Sequence, residues 1–75
     1  MIKNDAKIQK HSVVLAGHST SVSVENIFWQ ELKLIAASEK RSLNNLIAEI
    51  DRERENNLSS AIRVHVLVNS KRRAR

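Results

Sequence analysis

Three serines recur at every second position in one short stretch of the chain, at Ser19, Ser21 and Ser23. In an extended backbone successive side chains point to opposite faces, so these three hydroxyls share one face. Val22 and Val24, which lie between and after them, share the other. A serine hydroxyl both donates and accepts hydrogen bonds. The pattern therefore predicts a short strand with one apolar face and one hydrogen-bonding face.

A strand of this kind needs a partner, because the N–H and C=O groups along its edges must be hydrogen-bonded. We expect the segment 19–25 to pair with the same segment of a second copy, which gives a two-stranded antiparallel ribbon. Such a ribbon fits the major groove of DNA, where hydroxyls meet base edges. The alternative is a plain solvent-exposed face, because one-sided antiparallel strands alternate in the same way.

The other residues whose side chains could take part in catalysis or bind a metal form no known motif. His11, His18 and His65 lack the paired spacing of a zinc site, and the chain has no cysteine. The single glycine excludes a phosphate-cradling glycine loop, and no nucleophile motif surrounds any serine. We expect no enzymatic activity, no metal and no cofactor.

The net charge of +5 is concentrated at the two ends of the chain. Residues 1–18 carry three lysines against one aspartate, and residues 59–75 carry five basic side chains and no acidic one. The middle, residues 19–58, is slightly acidic. Basic ends suit a polyanion such as nucleic acid, although short basic tails also serve solubility alone.

A chain of 75 residues forms one domain, and one this short is usually stabilised by disulfides, metal or oligomerisation. The longest apolar run cannot span a bilayer and the start lacks a signal peptide's apolar region, so a cytoplasmic protein is expected. The predicted DNA contact adds association with the nucleoid to this expectation. We predict a flexible basic arm over 1–10, a folded domain over 11–70 and a basic tail over 71–75.

The stretch 11–16 allows two interpretations. It is either a first short strand, with Gly17 as the turn or bulge before the serine strand, or an arm that becomes ordered only against a partner.

After the serine strand the apolar residues change to a helical spacing, which predicts a first helix over about 25–38. In a second helix, capped by Ser42, apolar residues recur at i, i+3, i+4 and i+7 from Leu43. Asn57 or Ser59 then caps a third helix, although its β-branched residues also suit a strand. The predicted fold is mainly α with one β-strand.

The first helix is apolar over most of its circumference and must be buried from several sides. We therefore predict an intertwined homodimer with a shared helical core, whose isolated protomer exposes most of that core. The predicted dimer core consists of Val22, Val24, Phe28, Trp29, Leu32, Ile35, Leu46, Ile47 and Ile50.

The order of strand, helix, short turn and helix resembles the ribbon-helix-helix family, to which the Arc and methionine repressors belong. The resemblance covers Ser19 to about Arg54 and includes Arg41-Ser42-Leu43-Asn44, which is similar to the start of the family's second helix. It implies a DNA-binding transcription regulator, a repressor that acts as a homodimer. It implies base contacts at Ser19, Ser21 and Ser23 and phosphate contacts at Arg41, Ser42, Leu43 and Asn44. We also expect phosphate contacts at His18, because of its place beside the strand, and at Lys10, because of its charge.

A closer resemblance extends over most of the chain and includes Ala16-Gly17-His18, Phe28-Trp29 and the segment 57–63. It is to small alphaproteobacterial ribbon-helix-helix proteins that carry an extra C-terminal helix. That helix, residues 58–70, motivates an alternative function: a protein-interaction scaffold or antitoxin whose C-terminal helix binds another protein or joins dimers into a tetramer.

Two departures from the family pattern bear on the site. The turn at Glu39-Lys40-Arg41 lacks the glycine often used there, so a non-glycine residue is expected in the left-handed conformation. All three reading positions are serine, which discriminates bases less strongly than arginine or asparagine.

Overall fold

The computed structural model describes residues 3–73 and contains one β-hairpin and three helices. In chain order the elements are a 3-10 turn (Lys3–Ala6), strands β1 (Ile8–Leu15) and β2 (His18–Glu25), and helices α1 (Asn26–Ser38), α2 (Leu43–Glu53) and α3 (Leu58–Arg73). No helix within the described residues is long and apolar enough to cross a membrane.

The serine strand is paired within its own chain. β1 and β2 are antiparallel, joined by the two residues Ala16 and Gly17. Both have positive φ, 53° and 82°, as the tightest hairpin turns require. The prediction of one β-strand is therefore wrong. Of the two interpretations of residues 11–16, a first strand followed by a turn at Gly17 is the one observed.

The predicted arm over 1–10 also needs correction, because β1 begins at Ile8 inside it. The backbone N–H of Asn26 donates to the carbonyl of Lys7 (2.9 Å), and the Asn26 side chain donates to the carbonyl of Asn4 (2.8 Å). These bonds fasten the segment to the start of α1. The start of β1 is polar because it is exposed on both faces of the hairpin. Residues 1 and 2 lie outside the described part.

A left-handed residue ends α1. Lys40 has φ 55°, which confirms the expectation of a non-glycine residue in this conformation. The N–H of Arg41 donates to the carbonyl of Ala36, and that of Lys40 to Ala37, each at 3.1 Å. This is the paired bonding of a Schellman motif, which satisfies carbonyls at the helix end.

The two remaining helices begin at side-chain caps. Ser42 Oγ accepts from the N–H of Asn45 (3.0 Å), which confirms the predicted cap of α2. Asn57 Oδ1 accepts from the N–H of Ser60 (2.9 Å), so Asn57 caps α3. α3 runs to Arg73, and the first part of the predicted tail is therefore its last turn. Residues 74 and 75 lie outside the described part.

One chain buries a core of its own. The buried apolar side chains are Val13, Val22, Val24, Leu32, Ile35, Ala36, Leu46, Ile47, Ile50, Ile62 and Val66. Seven residues of the predicted dimer core are among them, while Phe28 and Trp29 pack half-buried against this core. The expectation that a lone protomer exposes most of these residues is wrong, because β1 and α3 supply the cover that was assigned to a second copy.

Candidate nucleic-acid interface

The exposed face of the hairpin is two strands wide. The register opposes Lys10 to Ser23, Ser12 to Ser21 and Val14 to Ser19. Residues opposed across an antiparallel pair project to the same face and lie side by side. All six are exposed, whereas Val13, Val22 and Val24 on the other face are buried against the helices. We call the exposed surface formed by these six residues the hairpin face.

The hairpin face is hydroxyl-rich and carries one cation. Four of its six residues are serines, Lys10 supplies the charge, and Val14, 50% exposed, supplies an apolar patch near the turn. At the far end of the same face lies Glu25, whose carboxylate accepts a hydrogen bond from Arg63 Nε at 2.9 Å. That bond lowers the pKa of Glu25. The negative charge of Glu25 is therefore paired with Arg63. The net charge of the hairpin face is then the positive charge of Lys10.

The outer edge of β2 is open along most of its length. Because a two-residue turn places Leu15 and His18 in a hydrogen-bonded pair, the backbone groups of Ser19, Ser21 and Ser23 point away from β1. The carbonyl of Ser23 accepts from Ser59 Oγ (2.7 Å). Within residues 3–73 the outward N–H and C=O groups of Ser19 and Ser21 have no hydrogen-bond partner.

The outer edge of β1 is held by the start of α2 at one residue, Val14. The side chain of Asn44 accepts from the N–H of Val14 (2.9 Å) and donates to its carbonyl (2.8 Å). This pair of bonds places the N-terminus of α2 beside the hairpin. The N–H groups of Leu43 and Asn44 stand in the first turn, where no carbonyl of the helix itself can accept them. Two predicted phosphate-contacting residues thus lie next to the hairpin face.

Arg41 is engaged by its own chain. Its guanidinium donates to Glu49 (2.9 Å), to Glu39 (3.2 Å) and to the side chain of Asn45 (2.8 Å). The bond with Glu49 raises the pKa of Arg41 and lowers that of Glu49. Two carboxylates balance the positive charge, so Arg41 ties the α1–α2 turn to α2.

His18 and Trp29 stand apart from the serines. His18 is exposed and pairs with Leu15, which places it on the opposite face of the hairpin from Ser19. The ring of Trp29 stacks on that of His11, with centroids 3.8 Å apart and planes 6° from parallel. His11 Nε2 is buried without a partner among the described residues. Burial, followed by the charge of Lys33, lowers the pKa of His11.

Sequence reasoning missed Ser12 and Val14 as part of this surface. β1 carries polar residues on both faces in the run Gln9 to Ser12, which hides the alternation that marks β2. The signal that was present is the turn at Ala16-Gly17, since a two-residue turn fixes which residues stand opposite one another. Within residues 3–73 no cluster of three or more histidines and carboxylates is arranged to hold a metal ion.

Comparison with known proteins gives a consistent picture. A family model described as a ribbon-helix-helix domain matches residues 8–69, from the first residue of β1 into the last turns of α3. Among solved structures the chain is similar to an uncharacterized protein from Bordetella pertussis Tohama I, with a TM-score of 0.86 and 29% identity. The match covers 99% of this chain but 64% of that protein, so the chain spans less than two thirds of its length. No curated protein matches.

Proposed function

Since the chain belongs to the ribbon-helix-helix domain family, we propose that it is a homodimeric repressor that binds double-stranded DNA at the bacterial nucleoid. Members of the family are generally DNA-binding transcription regulators or antitoxins, are non-enzymatic, and bind DNA as dimers. The observation that carries the proposal for this chain is the hairpin face, an exposed and hydroxyl-rich two-stranded surface with a lysine on it.

The open edge of β2 supports a dimer formed by strand addition. Antiparallel pairing of this edge with its counterpart in a second copy joins two hairpins into one four-stranded sheet. The unpaired backbone groups of Ser19 and Ser21 supply the new hydrogen bonds, and the bond from Ser59 to Ser23 limits the pairing at one end. Such a dimer does not require a shared helical core, because each chain already buries one.

The width of that sheet assigns different roles to the two strands. Neighbouring strands lie about 4.8 Å apart, so the outer strands of a four-stranded sheet are about 14 Å apart. The major groove is about 12 Å wide. The two central β2 strands therefore enter the groove with Ser19, Ser21 and Ser23 toward the bases. The two β1 strands lie toward the groove walls, where Lys10 meets phosphate and Ser12 reaches the sugar-phosphate edge.

The first turn of α2 offers a second contact with the DNA backbone. A phosphate oxygen at the N–H groups of Leu43 and Asn44 is favoured by the free donors and by the helix dipole. Ser42 supports this contact as the cap that orders the turn. We expect Arg41 to add little, because Glu39 and Glu49 already balance its charge.

The test is the affinity for duplex fragments of the host genome, measured by fluorescence anisotropy with Ser21→Asp and a matched control, Thr20→Asp. Both add one carboxylate to β2 at an exposed position, but on opposite faces. A carboxylate forced against DNA costs several kcal/mol, so Ser21→Asp should weaken binding by at least about tenfold. The affinity of Thr20→Asp for the same fragments should stay close to that of the wild type. Equal loss in both variants would reject the hairpin face as the contact surface.

The competing function, a protein-interaction scaffold or antitoxin, is favoured by one observation. Three large apolar residues on α3, Val64, Leu67 and Val68, are 42–55% exposed. Isolation of a stoichiometric complex with a different protein, in a preparation that retains no DNA at physiological salt, would support this function over the first.

A further inference from the structure

α3 is apolar on two opposite sides. Ile62 and Val66 are buried in the core, while Val64, Leu67 and Val68 project away from it and are 54%, 55% and 42% exposed. The spacing of the exposed set, i, i+3 and i+4, makes one continuous stripe. Helices that are apolar on both sides are normally covered on both. We call these three residues the α3 stripe.

A groove runs along one flank of the α3 stripe, between α3 and α2. Its volume is about 500 Å³, and Val64 and Val68 form its apolar wall on the α3 side. Ile50 of α2 lies opposite. Glu53 and Glu55 line the end of the groove at which α2 leads into α3, and both are exposed. Glu49 and His65 also line the groove, so its walls are both apolar and polar. Arg54 at the same end is paired with Asp51, which leaves Glu53 and Glu55 to make that end acidic.

The other end of the stripe is basic. Lys71, Arg72 and Arg73 form the last turn of α3 and are exposed. Lys71 follows Val64 by seven residues and so stands on the same side of the helix, about 10 Å further along. Neither this basic turn nor the pair Glu53 and Glu55 forms a salt bridge within residues 3–73.

We propose that the α3 stripe docks the α3 stripe of a second copy of this chain, antiparallel about a two-fold axis near Leu67. In this arrangement the basic last turn of each helix lies over the acidic groove end of the other. A surface with an apolar middle and opposite charges at its two ends is complementary to itself under a two-fold rotation, which is the requirement of an isologous interface.

The size of the patch makes this a weak contact. Three exposed apolar side chains and their flanking charges cover less than the roughly 800 Å² per partner of a standard interface. The assembly therefore forms at high concentration, or where two copies are held close together. It uses a surface separate from the β2 edge, so a protein that dimerises through β2 becomes a tetramer through α3.

Sedimentation equilibrium of the full chain without DNA tests the proposal over protein concentrations from about 10 μM to about 1 mM. The wild type should shift to a species of twice the mass as concentration rises, either from monomer to dimer or, once the β2 edges are paired, from dimer to tetramer. Leu67→Glu should weaken this shift by at least about tenfold. A shift that is unchanged in Leu67→Glu would overturn the proposal, because the mass gain would then come from the β2 edge alone. Leu34→Glu is the matched control, because Leu34 is equally exposed (56%) but lies on α1. It should sediment as the wild type does.

A charge reversal tests the antiparallel arrangement itself. Glu53→Lys and Lys71→Glu should each weaken the mass shift by about threefold, the usual size for exposed ion pairs, and the double variant should recover it. A wild-type mass that is constant over the whole range would overturn the proposal. Equal disruption by Leu34→Glu, or a stable complex of the stripe with a different protein instead, would also overturn it. None of these outcomes depends on DNA binding.

Discussion

The two faces of the β-hairpin share one backbone but differ in the burial and the polarity of their side chains. On the inner face Val13, Val22 and Val24 are no more than 6% exposed and pack against the helices. On the hairpin face Lys10, Ser12 and the serines of β2 lie in solvent. The inner face contributes burial energy to the fold, and the hairpin face contributes almost none. Its side chains are therefore free to be chosen for binding, and substitutions on the two faces should separate stability from DNA affinity.

The largest expected effect comes from placing one carboxylate on either face at neighbouring positions. Val22→Asp puts an unpaired charge into the core and should lower the free energy of unfolding by at least about 3 kcal/mol. Ser21→Asp should change it by no more than about 0.5 kcal/mol, because the position is exposed. Urea unfolding followed by circular dichroism measures both. A similar loss in the two variants would contradict the assignment of faces.

The turn determines which residues fall on which face, so it should be the next most sensitive point. Gly17 has φ 82°, and a Cβ added there meets no atom within 4 Å. The cost of Gly17→Ala is therefore that of a left-handed alanine, about 1–2 kcal/mol. Ala16→Asn is the comparison, because asparagine tolerates positive φ better than alanine and should not destabilise the hairpin. Thermal unfolding measures both variants. A lower melting temperature in Gly17→Ala alone indicates a cost of backbone conformation.

A smaller effect is a pH dependence of the free energy of unfolding that comes from a residue on the inner face, His11. The pKa of His11, on the inner face, lies below its ordinary 6.5, chiefly because burial penalises the charged ring. The unfolded chain therefore binds the proton more tightly, and stability falls as pH drops below about 6.5. His11→Phe keeps a ring against Trp29 and should remove the part of this dependence that begins below about pH 6.5, as measured by urea unfolding at several pH values. The pKa values of Glu25 and Glu49 lie below 4.5, so their contributions are lost only at lower pH.

The smallest predicted effect concerns the charge on the hairpin face. Lys10→Gln should leave the melting temperature unchanged, because Lys10 is exposed. It should reduce the slope of log affinity against log salt by about one for each protomer that contacts phosphate. The slope is obtained from anisotropy titrations at several salt concentrations. An unchanged slope would place Lys10 away from the DNA backbone.

The helices were predictable because each carries local signals. Ser42 stands before an amphipathic run and caps it. The turn that ends α1 needs one left-handed residue, and because it contains no glycine, Lys40 adopts this conformation. The same logic identified Val22 and Val24 as inward-facing. These features depend on residues a few positions apart, and such patterns can be recognised from one sequence.

The source of the partner strand was not predictable in the same way. The alternation at Ser19–Ser23 shows that an edge needs pairing, but it does not specify whether β1 or a second chain provides it. β1 hides its alternation behind polar residues such as Gln9 and His11, and its turn begins with Ala16 instead of the more typical asparagine. The cover provided by Ile62 was equally hidden, because β-branched residues throughout α3 obscure which side faces the core.

The central claim is that DNA is contacted by both strands of the hairpin face, and not by the serines of β2 alone. The affinity of Ser12→Asp for genomic duplex fragments tests it most directly, with Gln9→Asp as the control on the other face of β1. We predict that Ser12→Asp loses affinity as Ser21→Asp does while Gln9→Asp stays close to the wild type. Wild-type affinity in Ser12→Asp would contradict the claim, because it would place Ser12 away from the DNA.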